Sequence, residues 1–239
     1  MHISGVAENN ITSDILRERI GEQYSCICSN GEASPSLAID TDWEGYLARC
    51  PKKWRYTLKK LLGTMESKPE LDVQWYHQAN DLESFYGVLL HIEARSWKAR
   101  EGTAITRDSL EYLYYRELLP RLAHEEAFIA NVITFDGTPI AYNLCYLWNG
   151  EMGSMKTSFD EAYSDLSPGT LAYCTSVRYA FEQGAQVYDF LGDKAQHKTK
   201  WTDHIVKHQD YLLLLPTLPS RLAGALRSLR GLMRSGPSR

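Results

Sequence analysis

Two periods of apolar positions alternate along this chain. Leu71 to His77 (LDVQWYH) alternates every second residue and is β-rich, so it predicts a strand. Asn80 or Asp81 then caps a helix running to Arg95, with Leu82, Phe85, Leu89, Leu90 and Ile92 turned inward. A further helix starts at Thr106 or Asp108. Its inward stripe is Leu110, Leu113, Tyr114 and Leu118, and Pro120 ends or kinks it near Leu119. The period changes back to two over 128–135 and 139–148, joined by Asp136-Gly137-Thr138, a hairpin signal. Asn149-Gly150 marks a second tight turn before a strand over 151–159. A helix begins at Ser167 or Thr170, reaches about Gln183 and stops at Gly184. Strands over 186–191 and 209–215 follow. Two helices before a hairpin pair, then strand, loop, helix and strand, describe an α+β layout.

Outside that region the pattern is weaker. Residues 1–40 have little periodicity and are expected to form a weakly structured lead, or the remnant of a preceding half. Residues 41–215 are expected to form the principal domain, opened by a helical stretch at Asp42. Lys52, Lys53, Arg55, Lys59 and Lys60 surround Trp54, Tyr56, Leu58, Leu61 and Leu62, which predicts an amphipathic helix with a basic face. Residues 216–239 carry five arginines and no acid, with leucines at 222, 226, 229 and 232. Such a basic amphipathic tail is expected to reach an anionic membrane surface or an acidic partner.

Composition narrows the classes. A length of 239 residues suffices for one large or two small cores. With 44% hydrophobic and 23% charged residues, the expectation is an ordinary soluble globular protein. A net charge of −4 argues against a dedicated nucleic-acid binder. No apolar run nears the ~20 residues of a membrane span. The first twenty residues lack the basic start and apolar core of a signal peptide. The five cysteines are odd in number and scattered, so reduced thiols in a cytoplasmic protein are expected. His204 and His208 are spaced as on one helix face, but no third ligand accompanies them and no metal is expected. Neither a P-loop nor a nucleophile elbow is present.

Three places could carry chemistry. Ser167-Pro168-Gly169-Thr170-Leu171 starts a helix, where free N–H groups attract anions and Gly169 allows close approach to the backbone. Lys156 stands on a predicted strand, where its charge is costly to bury unless it is paired. Trp97, Lys98 and Arg100 on one segment, and Lys198 and Trp201 on another, mix cations with aromatic faces, a combination suited to sugar or anionic ligands.

Four segments in order carry a family resemblance: 93–105 (EARSWKAREGTAI), Lys156-Thr157-Ser158-Phe159-Asp160, Ser167-Pro168-Gly169-Thr170, and 189–201 (DFLGDKAQHKTKW). Together they resemble the acyltransferase domain of bacterial proteins labelled cellulose-biosynthesis acetyltransferases, in the GNAT superfamily, similar also to Fem-type aminoacyl transferases. The resemblance covers roughly Asp42 to His208. It implies a mixed, mostly antiparallel sheet with helices on both faces. It implies transfer of an acyl group, foremost acetyl from acetyl-CoA, onto an amine or hydroxyl of a sugar or a cell-envelope or exopolysaccharide precursor. Acetyl-CoA would bind at Ser167 to Leu171. GNAT enzymes usually carry a longer glycine-rich turn there, and this chain has one glycine, so aminoacyl-tRNA stays open as the donor. In such an enzyme Asp193 or Glu93 would take the acceptor's proton. Lys156 would meet an anionic donor group or the reacting carbonyl. Trp97, Lys98 and Arg100 would wall one side of the acceptor and Lys198 and Trp201 the other. A truncated, non-catalytic binding module is the alternative from another class.

Overall fold

The computed structural model describes residues 1–8, 11–20 and 25–214. They fall into two compact units, a smaller one formed by residues up to Pro35 and from Gly192 onward, and a larger one from Ser36 to Leu191.

In the smaller unit, strands β1 (His2–Ala7) and β2 (Ser25–Asn30) flank the late strand β10 (His208–Leu214) in an antiparallel sheet. A helical stretch over 11–20 includes α1 (Ile11–Asp14), and its Leu16 packs with Val6, Tyr211 and Leu213. The first residues of β3 (Ser34–Ala38) pair with β9 (Ile205–Val206). The lead expected to be weakly structured thus contributes three strands, because partners at the other end of the chain complete their ladders. Residues 192–214, expected within the principal domain, group with them. The basic tail lies outside the described residues.

The larger unit contains α2 (Trp43–Arg49), α3 (Lys52–Ser67), β4 (Leu71–Tyr76), α4 (Leu82–Glu93), α5 (Trp97–Glu101) and α6 (Leu110–His124). After these come β5 (Phe128–Phe135), β6 (Thr138–Trp148), β7 (Glu151–Phe159), α7 (Pro168–Glu182) and β8 (Val187–Asp189). Its sheet has the order β4-β5-β6-β7-β8-β3, and only the β7–β8 pair is parallel. Asp136 and Gly137, then Asn149 and Gly150, all have positive φ, as the two-residue hairpin turns require. Helices α4 and α6 cover one face through Phe85, Leu89, Ile92, Leu119, Val132, Tyr142 and Leu144. Helix α7 covers the other, where Leu171 and Ala172 meet Ile133, Ile140 and Ala141.

The expected inward stripe of α6 fails at three of its four positions. Leu110, Leu113 and Tyr114 are 84%, 53% and 58% exposed, whereas Tyr112, Tyr115 and Leu119 turn inward. Ser109 sets this phase by accepting from the Tyr112 N–H as N-cap, and Tyr112 packs edge-on against Tyr86. Nor does Pro120 end the helix, which runs to His124. Pro120 removes one backbone donor, but Leu118, Leu122 and Ala123 still pack on the core and hold the last turn.

Gly153 shows how tightly β7 is fitted. A Cβ there would land on the ring of Tyr146, its cross-strand partner on β6. We expect Gly153→Val to cost roughly 1–3 kcal/mol or more by expelling that ring. Urea unfolding checks this, and an unchanged midpoint would refute the fit.

Candidate active site

Strands β7 and β8 pair only at Glu151–Val187, Met152–Tyr188 and Gly153–Asp189. β8 then ends, while β7 continues to Phe159. Opposite β6 the register skips a residue, with Leu144 facing Lys156 and Cys145 facing Ser154. Met155 is therefore a bulge with no Cα partner on either neighbour, placed where the two parallel strands part. The exit from β8 is tightly turned. Asp189 accepts from the Leu191 N–H at 2.8 Å, and Leu191 and Gly192 both have positive φ.

On the α4–α6 face beside the bulge lies a cluster of charges. Glu93 is fully buried, and its carboxylate accepts from Lys98 Nζ (3.0 Å), the Tyr142 hydroxyl (2.7 Å) and the Ile105 N–H (3.0 Å). Burial pushes this carboxyl up, but Lys98 and the hydrogen bonds from Ile105 and Tyr142 outweigh it and hold Glu93 below the usual range. Lys98 also donates to the Thr157 carbonyl at 2.8 Å. Burial pulls its ammonium below the usual lysine range, Glu93 opposing and Lys156 reinforcing. Lys156 pairs with Glu111 on the first turn of α6 at 2.7 Å. Ser158, two residues along β7, is buried with its hydroxyl unpartnered. On the α7 face, Asn143 joins Ser154, Ser176 and Tyr188 in a closed hydrogen-bond network. The thiols of Cys145 and Cys174 lie in this layer, each pushed up to about 12 by burial, so neither suits a nucleophile.

Residues 52–199 match the model of the acetyltransferase (GNAT) domain family. The chain belongs to this family. Among solved structures it is similar to FemX, at 13% identity with a TM-score of 0.61, covering 90% of this chain and 72% of that one. It is also similar to the C-terminal DUF2156 domain of an Agrobacterium fabrum chain assigned as a lysylphosphatidylglycerol synthetase. That match has 11% identity and a TM-score of 0.57, covering 95% and 71%. L-PGS from Bacillus licheniformis aligns at the same identity, TM-score and coverage. At such identities these structures share the fold. No curated protein matches the chain. The GNAT domain makes acyl transfer the general chemistry of this chain.

Within the GNAT domain the sequence-predicted residues separate. Glu93, Lys98 and Lys156 come together in the charge cluster. Trp97 is 39% exposed, and Arg100 lies outward, held by both oxygens of Glu161 at 2.7 and 3.2 Å. Asp193, Lys198 and Trp201 belong to the smaller unit. There Asp193 is exposed at 3.5 Å from Lys198 Nζ, and Trp201 is buried. At the α7 start, Ser167 adopts positive φ, Pro168 offers no N–H, and the N–H groups of Thr170 and Leu171 both turn to the Ser167 carbonyl. Gly169 has a packing reason, since a Cβ there would sit 3.0 Å from the Phe159 ring. Sequence reasoning missed Glu111, Tyr142 and the bulge at Met155. Glu111 reads as an ordinary first-turn acid, and a bulge has no signature without its partner strand. Among the described residues, no helix is long and apolar enough to cross a membrane, and no group of three or more metal-ligating side chains is placed to hold an ion.

Proposed function

We propose that the chain transfers an acyl group, foremost acetyl from acetyl-CoA, to an amine or hydroxyl of a sugar or cell-envelope or exopolysaccharide precursor, as in the cellulose-biosynthesis type. The supporting observation is the parting of β7 and β8 after Gly153, with Met155 bulged from both ladders. A thioester carbonyl laid along this opening would be polarised by strand N–H groups. The acceptor nitrogen or oxygen attacks the carbonyl carbon, the C–S bond breaks, and the CoA sulfur leaves as a thiolate that takes up a proton. Glu111, half-exposed beside Lys156, takes the acceptor's proton in this reading. Glu93 keeps its lone pairs on three donors and serves to position Lys98. Asp193 stays a second candidate base.

The donor is tested by calorimetry with acetyl-CoA. Thr170→Glu places a carboxylate in the first turn of α7, which suits the helix dipole but repels a pyrophosphate. We expect CoA affinity to fall about tenfold or more, the scale of one lost charge-assisted contact, with the melting temperature kept. Absence of acetyl-CoA binding to the wild-type protein would overturn the donor assignment. The second reading, an aminoacyl-tRNA donor of the Fem type, is favoured by the scarcity of free N–H groups at the α7 start. It is favoured too by Lys52, Lys53, Lys59 and Lys60, all exposed on α3. Charged tRNA binding in place of acetyl-CoA, with steep salt dependence, would establish it.

A further inference from the structure

At the opposite side of the larger unit's sheet from the β7–β8 opening, α3, β4 and α7 enclose a groove of about 290 Å³. That volume is at the small end for ligand sites. Leu62, Met65 and Val73 give it an apolar wall. Trp75 adds an aromatic surface, steadied by the Tyr179 ring at 4.3 Å. The polar features of the groove ask for the same kind of group. Glu66 lines it, and no ion pair is formed by this carboxylate among the described residues. Arg178, the cation of the lining, is met by Glu182 at 2.8 Å, which leaves the groove one negative charge in excess. A carboxylate without a cation and an indole surface are both complementary to an ammonium group.

We propose that this groove binds a small primary ammonium compound, with its carbon chain on Leu62, Met65 and Val73 and its charged end between Glu66 and Trp75. The site is independent of acyl transfer, since β5, β6 and β7 stand between β4 and β8.

Hexylammonium and hexanol, equal in chain length, separate charge from apolar filling. Each is titrated into the full chain while the NMR shift of the Trp75 indole is followed. Hexylammonium should bind about tenfold or more tightly than hexanol, from the charge and cation–π contacts together. Glu66→Gln, an exposed change that leaves the core intact, should weaken hexylammonium about three- to fivefold and leave hexanol unchanged. Equal affinity for the two compounds would reduce the groove to an apolar surface and overturn the proposal. So would hexylammonium binding that ignores Glu66→Gln, or no shift with either compound.

Discussion

Lys98→Met should destabilise the fold by roughly 3–5 kcal/mol, the cost of leaving a buried carboxylate without its cation. For a chain of this size that lowers the melting temperature by about 6–20 °C. Lys98 is the only ion-pair partner of the fully buried Glu93 among the described residues, at 3.0 Å. The pH dependence gives the test its direction. In the wild type, Glu93 is held below its unfolded value, so its stabilisation is present at neutral pH and fades as pH falls through the folded value. In Lys98→Met, burial no longer meets its strongest opponent, and the carboxyl rises above the unfolded value. Protonation then relieves the variant, and the gap to wild type narrows on acidification. Adding Glu93→Gln should restore the variant to within about 2 kcal/mol, the remainder being an imperfectly met donor at Tyr142 or Ile105. Urea unfolding at neutral and mildly acidic pH measures all three. A loss under about 1 kcal/mol at neutral pH would mean that Glu93 is not an ionised, desolvated group.

What could be read in advance followed from how local each cause is. The hairpin turns were legible because Asp136-Gly137 and Asn149-Gly150 carry their positive φ in their own residues. Strands β4 to β8 were legible too, from the apolar pattern within each segment, but β3, which pairs beside β8 in the same sheet, was not. Strands β1 and β2 were not, because their ladders are completed by β10 near the other end of the chain. The phase of α6 was misread because Leu110 and Leu113 are the more apolar residues. Tyr112 and Tyr115, which can bury a ring and keep a polar end, took the inner face. The charge cluster was half legible. Glu93 and Lys98 are five residues apart and were both singled out, but the geometry that turns them toward each other depends on the bend between α4 and α5. Glu111 reaches Lys156 from 45 residues away, and nothing near either residue announces the pair.

Glu111→Gln should lower the rate of acyl transfer by ~10²–10⁴-fold, the range for a positioned base, with little change in stability. The stability side follows from exposure. Glu111 is 40% exposed and its pairing with Lys156 is screened by water, so the fold depends on it far less than on Glu93. The rate side follows from position. Lys156 is the residue after the bulge at Met155, and its 2.7 Å bond holds the Glu111 carboxylate next to that bulge, the side of β7 that the proposed function gives to the acceptor. Glutamine keeps the size and an oxygen for Lys156, but it cannot take a proton. The variant should therefore lose kcat with acetyl-CoA affinity retained. Lys156→Met separates holding from accepting. Glu111 survives there unmoored, so kcat should fall less than in Glu111→Gln. A Glu111→Gln enzyme within about threefold of the wild-type rate would place the base elsewhere, where a positioned group's contribution of ~10²-fold or more should then be sought in Asp193→Asn.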